Sequence, residues 1–283
     1  IMENKLRYSF ETYAVSGATK GDKLTGAISY PLYLSATFKH NGLNESTGYD
    51  YSRLQNPTRE EAEKTIALLE NGKEALAFSC GMAALTACVH LFKSGDHVIL
   101  SEDLYGGTFR LFDEVYSVYN IEASFIDTSD INKVKDAIRS NTRGIIIETP
   151  SNPLMRVTDI KAISDICKAK NIISIVDNTF LTPYYQRPLE LGADIVVHSG
   201  TKYLGGHNDV LAGFAISNNE EIIEKLRFMQ KSTGAILSPF DSWLLLRGVK
   251  TLHIRMDRIQ ENAIKIAKWL ECNKNVEKVY YVG

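Results

Sequence analysis

The chain has 283 residues, 44% of them hydrophobic, enough to bury one sizeable core or a core with a smaller domain attached. Its 32 basic and 34 acidic side chains leave a formal charge of −2, so no strong field is available to gather nucleic acid or an anionic membrane, and small molecules are the expected partners. Cys80, Cys88, Cys167 and Cys272 show no C-x-x-C spacing and read as reduced thiols. No apolar run approaches the roughly 20 residues of a membrane span and Ile1–Phe10 lacks a signal core, so the expected compartment is the cytoplasm.

In chain order, the segment before Tyr51 is rich in Gly, Ser, Thr and Tyr and follows neither the helical nor the strand period, which predicts an extended arm over residues 1–50. From Glu74 onward, short runs of Val, Ile and Phe alternate with longer amphipathic stretches. The predicted strands are Glu74–Ser79, His97–Ser101, Ala123–Asp127, Gly144–Thr149, Ile172–Asp177, Asp194–Ser199 and Ala212–Ser217. Between them Met82–Lys93, Asp130–Ser140 and Thr158–Lys170 are long enough to be crossover helices, so residues 51–240 read as one α/β domain with a parallel sheet covered by helices. Past Ser238 the pattern turns to long helix, opened by an S-x-x-D start at Ser238 and Asp241, and a second, smaller domain is expected over 241–283. Its strand-like run Val276–Val282 has almost nothing left to pair with.

Ligands of an open parallel sheet bind beyond the carboxyl ends of its strands, and polar residues cluster there. One strand runs into Asp177-Asn178-Thr179, the next into Ser199-Gly200-Thr201-Lys202. A lysine beside buried strand ends is a candidate Schiff-base former, and an aspartate ending a strand suits a protonated pyridine nitrogen; each taken singly is as well explained as an exposed lysine and a helix cap. Gly81-Met82 opens a helix whose free N–H groups favour a phosphate, Ser199 and Thr201 offer hydroxyls to the same group, and Tyr105 offers an aromatic face to a ring. Ser199 to Lys202 also fits the S-x-x-K of acyl-serine enzymes, but S-D-N and K-T-G are missing, and no nucleotide-binding glycine loop occurs.

Seven segments occur in order: Tyr49–Arg53, Asn56–Thr58, Ser79–Met82, Asp103–Gly106, Glu148–Pro153, Val176–Thr179 and His198–Tyr203. Together they resemble the Cys/Met-metabolism (trans-sulfuration) family of pyridoxal-phosphate enzymes: cystathionine synthases and lyases, methionine gamma-lyase and homoserine-ester sulfhydrylases. The resemblance implies a fold type I architecture, the mostly parallel seven-stranded sheet with helices on both faces, and pyridoxal 5'-phosphate as cofactor. It implies that Lys202 carries the cofactor, Asp177 pairs with the ring nitrogen, Tyr105 stacks on the ring and Asn152 bonds the ring hydroxyl. Gly81, Met82, Ser199 and Thr201 would hold the phosphate, joined by Tyr51 and Arg53 from a neighbouring subunit of a homo-oligomer, expected to be a tetramer built as a dimer of dimers. Alternation along an extended arm puts Tyr51 and Arg53 on one face, in keeping with that role.

Family members usually continue for about a hundred residues more, and the arginine that grips the substrate carboxylate is expected there, so the chain reads as truncated. Gly107 stands where a resemblance to methionine gamma-lyases would call for cysteine, which demotes methionine as substrate. The expected activity is gamma-replacement on an O-acylhomoserine by cysteine, as in cystathionine gamma-synthase, with cleavage by a cystathionine beta- or gamma-lyase as the alternative and methionine gamma-lyase or sulfhydrylase chemistry further behind.

Overall fold

A computed structural model describes residues 8–18 and 21–282. The strands are β1 Glu74–Phe78, β2 His97–Ser101, β3 Glu122–Ile126, β4 Thr142–Glu148, β5 Ile173–Asp177, β6 Ile195–Ser199 and β7 Gly213–Ser217. They form one seven-stranded sheet in the order β1-β7-β6-β5-β4-β2-β3. All pairings are parallel except those of β7, which runs antiparallel to both β1 and β6, so the sheet is mostly parallel, as the family resemblance implies. Residues 200–212 join β6 to β7 without a helix that could serve as the crossover a parallel partner needs.

The helices are α1 Phe10–Ser16, α2 Pro57–Leu69, α3 Gly81–Val89, α4 Gly106–Arg110, α5 Ile131–Ala137, α6 Ile160–Lys170, α7 Thr182–Tyr185, α8 Glu220–Thr233, α9 Pro239–Val249 and α10 Leu252–Glu271. Short polar side chains start the longer ones: Asn56 accepts from the N–H groups of Thr58 and Arg59, Asp159 from Ala162, Asn219 from Glu221 and Ile222, and Ser238 from Asp241. None of the described helices is long and apolar enough to cross a membrane.

Alternation along the strands divides the core in two. Leu76, Phe78, Leu100, Ile146, Ile175, Val197 and Ala215 point to the side covered by α3 and α8. Ala77, Val196, Phe214 and Ile216 face α2 and α9, and Ile99, Ile145, Ile147 and Val176 face α5 and α6. Leu245, Val249, Leu252 and Met256 of α9 and α10 belong to the same core as α2 and β7.

Two local expectations are corrected. Val276–Val282 forms no strand over its described residues: the sheet ends at β1 and β3, and this run lies against neither. The arm also holds a helix, α1, capped by Ser9 and sitting on the core through Phe10 and Ala14. Beyond α1 the arm is irregular, with Ala36–Phe38 laid antiparallel to Asp50–Ser52. Buried Arg59 of α2 fastens its end, donating to the carbonyls of Ser52 at 2.6 Å and Leu54 at 3.0 Å, on either side of Arg53.

Candidate active site

Because β1, β2, β4, β5 and β6 point the same way, their carboxyl ends lie along one edge, and β7 begins there. Glu148 and Asp177 are direct partners across β4 and β5, and Ser199 is paired with Gly213 across β6 and β7. By alternation Glu148, Asp177 and Ser199 all emerge on the α3 side of the sheet. A cavity of about 1260 Å³ opens over them.

It is lined by Gly81, Met82, Tyr105, Asn152, Asp177, Ser199, Thr201 and Lys202, so eight of the ten residues singled out in the sequence come together. Tyr51 and Arg53 do not: both are exposed on the arm, the guanidinium 5.5 Å from the Tyr51 ring centre and bonded to the carbonyl of Lys231. Four neighbours had been given no role from the sequence: Glu148 and Thr179, which were named only within their segments, and Arg255 and Arg258 of α10. Glu148 was legible, since it ends β4 as Asp177 ends β5. The α10 wall carries no local signal, because it reaches the cavity from some fifty residues beyond Lys202 and is pinned there by Arg255, which donates to the carbonyls of Tyr203 at 2.7 Å and Gly248 at 3.0 Å.

Glycine lets the phosphate-side elements meet. A Cβ at Gly81 would lie 2.8 Å from the Ser199 Cβ, and one at Gly213 would lie 2.0 Å from the Cys80 carbonyl oxygen. The start of α3 is thus pressed against the end of β6. Cys80 gives that helix no side-chain cap, which leaves its first N–H groups to whatever enters the cavity. The Thr201 hydroxyl is held against Ala212, donating to its carbonyl and accepting from its N–H at 3.1 Å.

Asp177 accepts from the Thr179 N–H at 3.0 Å, and the Thr179 hydroxyl accepts from the Ser199 N–H at 2.8 Å, tying the ends of β5 and β6 together. Burial raises the Asp177 carboxyl above its ordinary range, opposed by the bonds from Thr179. Burial and then the charge of Asp177 push Glu148 up to about 8. Two carboxyl groups side by side with no cation among their bonded partners are a place made for a positive charge, and a protonated pyridine nitrogen supplies one. Lys202 makes no side-chain hydrogen bond or ion pair with any described residue, so its amine is uncommitted. Under the sheet, Glu70 accepts from Asn178 at 2.9 Å and meets His198 Nε2 at 2.5 Å, all three buried, so the residues next to Asp177 and Ser199 are anchored from the opposite face.

A buried acid at one end, uncapped N–H groups at the other and a free lysine amine between fit a phosphorylated pyridine aldehyde. Residues 11–283 match the model of the family described as Cys/Met metabolism PLP-dependent enzyme. The chain belongs to that family. Its cofactor is pyridoxal phosphate, its sheet is the fold type I sheet, and the sequence resemblance was correctly placed. Among members of the family, the chain is 51% identical to the cystathionine gamma-lyase of Bacillus subtilis over 96% of its own length and 72% of that protein's. It is 50% identical to a cystathionine beta-lyase of Lactococcus lactis, covering 97% and 72%, and 48% identical to the cystathionine gamma-synthase of Haemophilus influenzae, covering 97% and 75%. The crystal structure of a cystathionine gamma-lyase from Lactobacillus plantarum complexed with L-serine superposes with a TM-score of 0.95 at 44% identity, over 97% of this chain and 72% of that one.

Proposed function

We propose that the protein carries out gamma-replacement, joining cysteine to the carbon skeleton of an O-acylhomoserine to form cystathionine, at sites shared between two subunits. The observation that carries the reading is the convergence of Lys202, Asp177, Tyr105 and the uncapped start of α3 on one cavity. When bound, pyridoxal phosphate supplies a carbonyl for the substrate amine and an electron sink for charge developing on the substrate carbons. Ser199, Thr201, Gly81 and Met82 would hold its phosphate and Tyr105 would stack on its ring. The Asp177 carboxylate would accept a hydrogen bond from the ring nitrogen and keep it protonated. The Lys202 amine would anchor it and, once released, would take the proton from the substrate α-carbon and return protons to later carbons, while the acyl group departs as a carboxylate and the thiol adds.

Cleavage of cystathionine is the second reading, favoured by the lyase names of the B. subtilis and L. lactis relatives at 51% and 50% identity. Both readings share proton removal from the α-carbon by Lys202; beta cleavage departs there, because its leaving group is on the β-carbon, whereas gamma cleavage and gamma-replacement diverge once the group on the γ-carbon has been expelled. Steady-state turnover separates them. Cystathionine formed from homoserine ester and cysteine, exceeding the keto acid released from cystathionine alone, supports replacement; keto acid from cystathionine with no cystathionine made from the ester overturns it. Pyruvate then marks beta cleavage and 2-oxobutanoate gamma cleavage.

A further inference from the structure

We infer that Glu148 is a positioning residue that sets Tyr105 against the cofactor ring, beside Asp177. The inference rests on the reading that Tyr105 stacks on the ring. Glu148 is the last residue of β4, on the same face as its partner Asp177, and lines the cavity. Its Oε2 accepts from the Tyr105 N–H at 2.7 Å. No other acceptor takes the Tyr105 N–H, because Tyr105 precedes α4, a helix of only five residues that gives it no partner. The nearby Asp103 is already engaged, accepting from the Ser151 hydroxyl and from the Leu154 N–H at 3.1 Å. Asp103 therefore ties the loop of Tyr105 to the loop that follows β4, and Glu148, which faces the cavity, ties Tyr105 itself to the end of β4. Tyr105 is 49% exposed, so little other packing fixes its ring.

The charge state suits that task. Burial, and after it the charges of Asp177 on β5 and Asp103 on the β2 loop, push the carboxyl up to about 8. With its proton on, Glu148 still offers an oxygen to the Tyr105 N–H. A glutamine keeps the accepting oxygen and the length; alanine removes both.

The test is a double-mutant cycle on the holoenzyme, read by cofactor affinity from visible absorbance titration and by the circular dichroism induced in the bound chromophore. Tyr105→Ala should weaken affinity and diminish the induced signal. Glu148→Ala should do the same, by about tenfold in affinity for one lost buried acceptor, and Glu148→Gln should stay within about threefold of the parent. In the Tyr105→Ala background, Glu148→Ala should add less than about threefold, because the ring it positions is gone. Should Glu148→Ala not fold, Glu148→Met, which keeps the volume without the acceptor, takes its place with the same expectations. Full additivity of the two alanine changes, or a Glu148→Gln protein as impaired as Glu148→Ala, overturns the inference. If Tyr105→Ala alone changes neither readout, the placement of the ring against Tyr105 has failed, and the inference falls with it.

Discussion

The carboxyl edge of the sheet and the arm are built in opposite ways. At the edge, site residues sit at the ends of strands whose interiors are fully covered, and their side chains are fixed by bonds such as Thr179 to Asp177 and Thr179 to Ser199. Along the arm, Leu24, Ile28, Leu34 and Leu43 are 88%, 86%, 72% and 93% exposed, and Tyr51 and Arg53 do not line the cavity that holds Lys202. A rigid edge can hold chemistry alone. An arm with uncovered apolar side chains and a clamped arginine gains its purpose on another surface, and a second copy of the chain is the partner we propose.

Substitutions at the rigid edge should be the most damaging. Lys202→Ala should lose turnover by more than about a thousandfold and should lose the lysine that borohydride fixes to the cofactor. Peptide mapping checks this, and a label found on Lys168 or Lys231 instead would remove Lys202 from the site. Asp177→Asn should lower kcat by about a hundredfold with a much smaller change in cofactor affinity, because the carboxylate matters most as charge develops on the substrate. An unchanged kcat would separate Asp177 from the ring nitrogen.

The arm is tested by mixing. Lys202→Ala and Arg53→Ala proteins, each nearly inactive, are allowed to exchange subunits. If each site takes Lys202 from one chain and Arg53 from its neighbour, every mixed dimer holds one intact site and one doubly defective site, and about a quarter of the parental activity should return. Demonstrated exchange without recovery would place Arg53 back on the surface of its own chain.

A gentler response is expected from pH in the cofactor-free protein. In the unfolded chain Glu148 loses its proton once pH passes the ordinary glutamate range, whereas in the fold it keeps it to about 8. Its contribution is therefore full at acid pH and lost as pH rises through that window. Urea midpoints should fall across it, and less steeply in Glu148→Gln; parallel profiles would show that Glu148 titrates normally.

Much of this was legible in the sequence for a physical reason. Strands such as Ile173–Asp177 are short β-branched runs that must be buried on both faces, so their ends, and hence Asp177 and Lys202, could be placed within a residue or two. Glu148 was passed over although it stands at the same offset, because a carboxylate ending a strand carries no distinctive chemistry until its neighbour is known to be Asp177. In the arm, Phe10, Tyr13 and Ala14 do follow helical spacing behind Ser9, a signal drowned by the irregular polar residues after it. The arrival of α10 at the cavity depends on packing between distant segments, which no local pattern encodes.

The neighbour relation of β1 and β7 governs the order in which such a chain can assemble. Among the described residues β1 pairs along its length with β7 and meets one further, later segment through a bridge from Phe78 to Ile236, so Glu74 must wait for Ser217. As the polypeptide leaves the ribosome, β2 to β6 can pair among themselves while β1 stays an open edge, a contact so distant in sequence that folding there is slow and exposed to aggregation. Gly213, the first residue of β7, is also the one packed on Cys80 at the start of α3. The end of the cavity where we propose the phosphate binds is therefore completed by the same late event that seals the sheet, and capture of the phosphate would report that the last strand is in place.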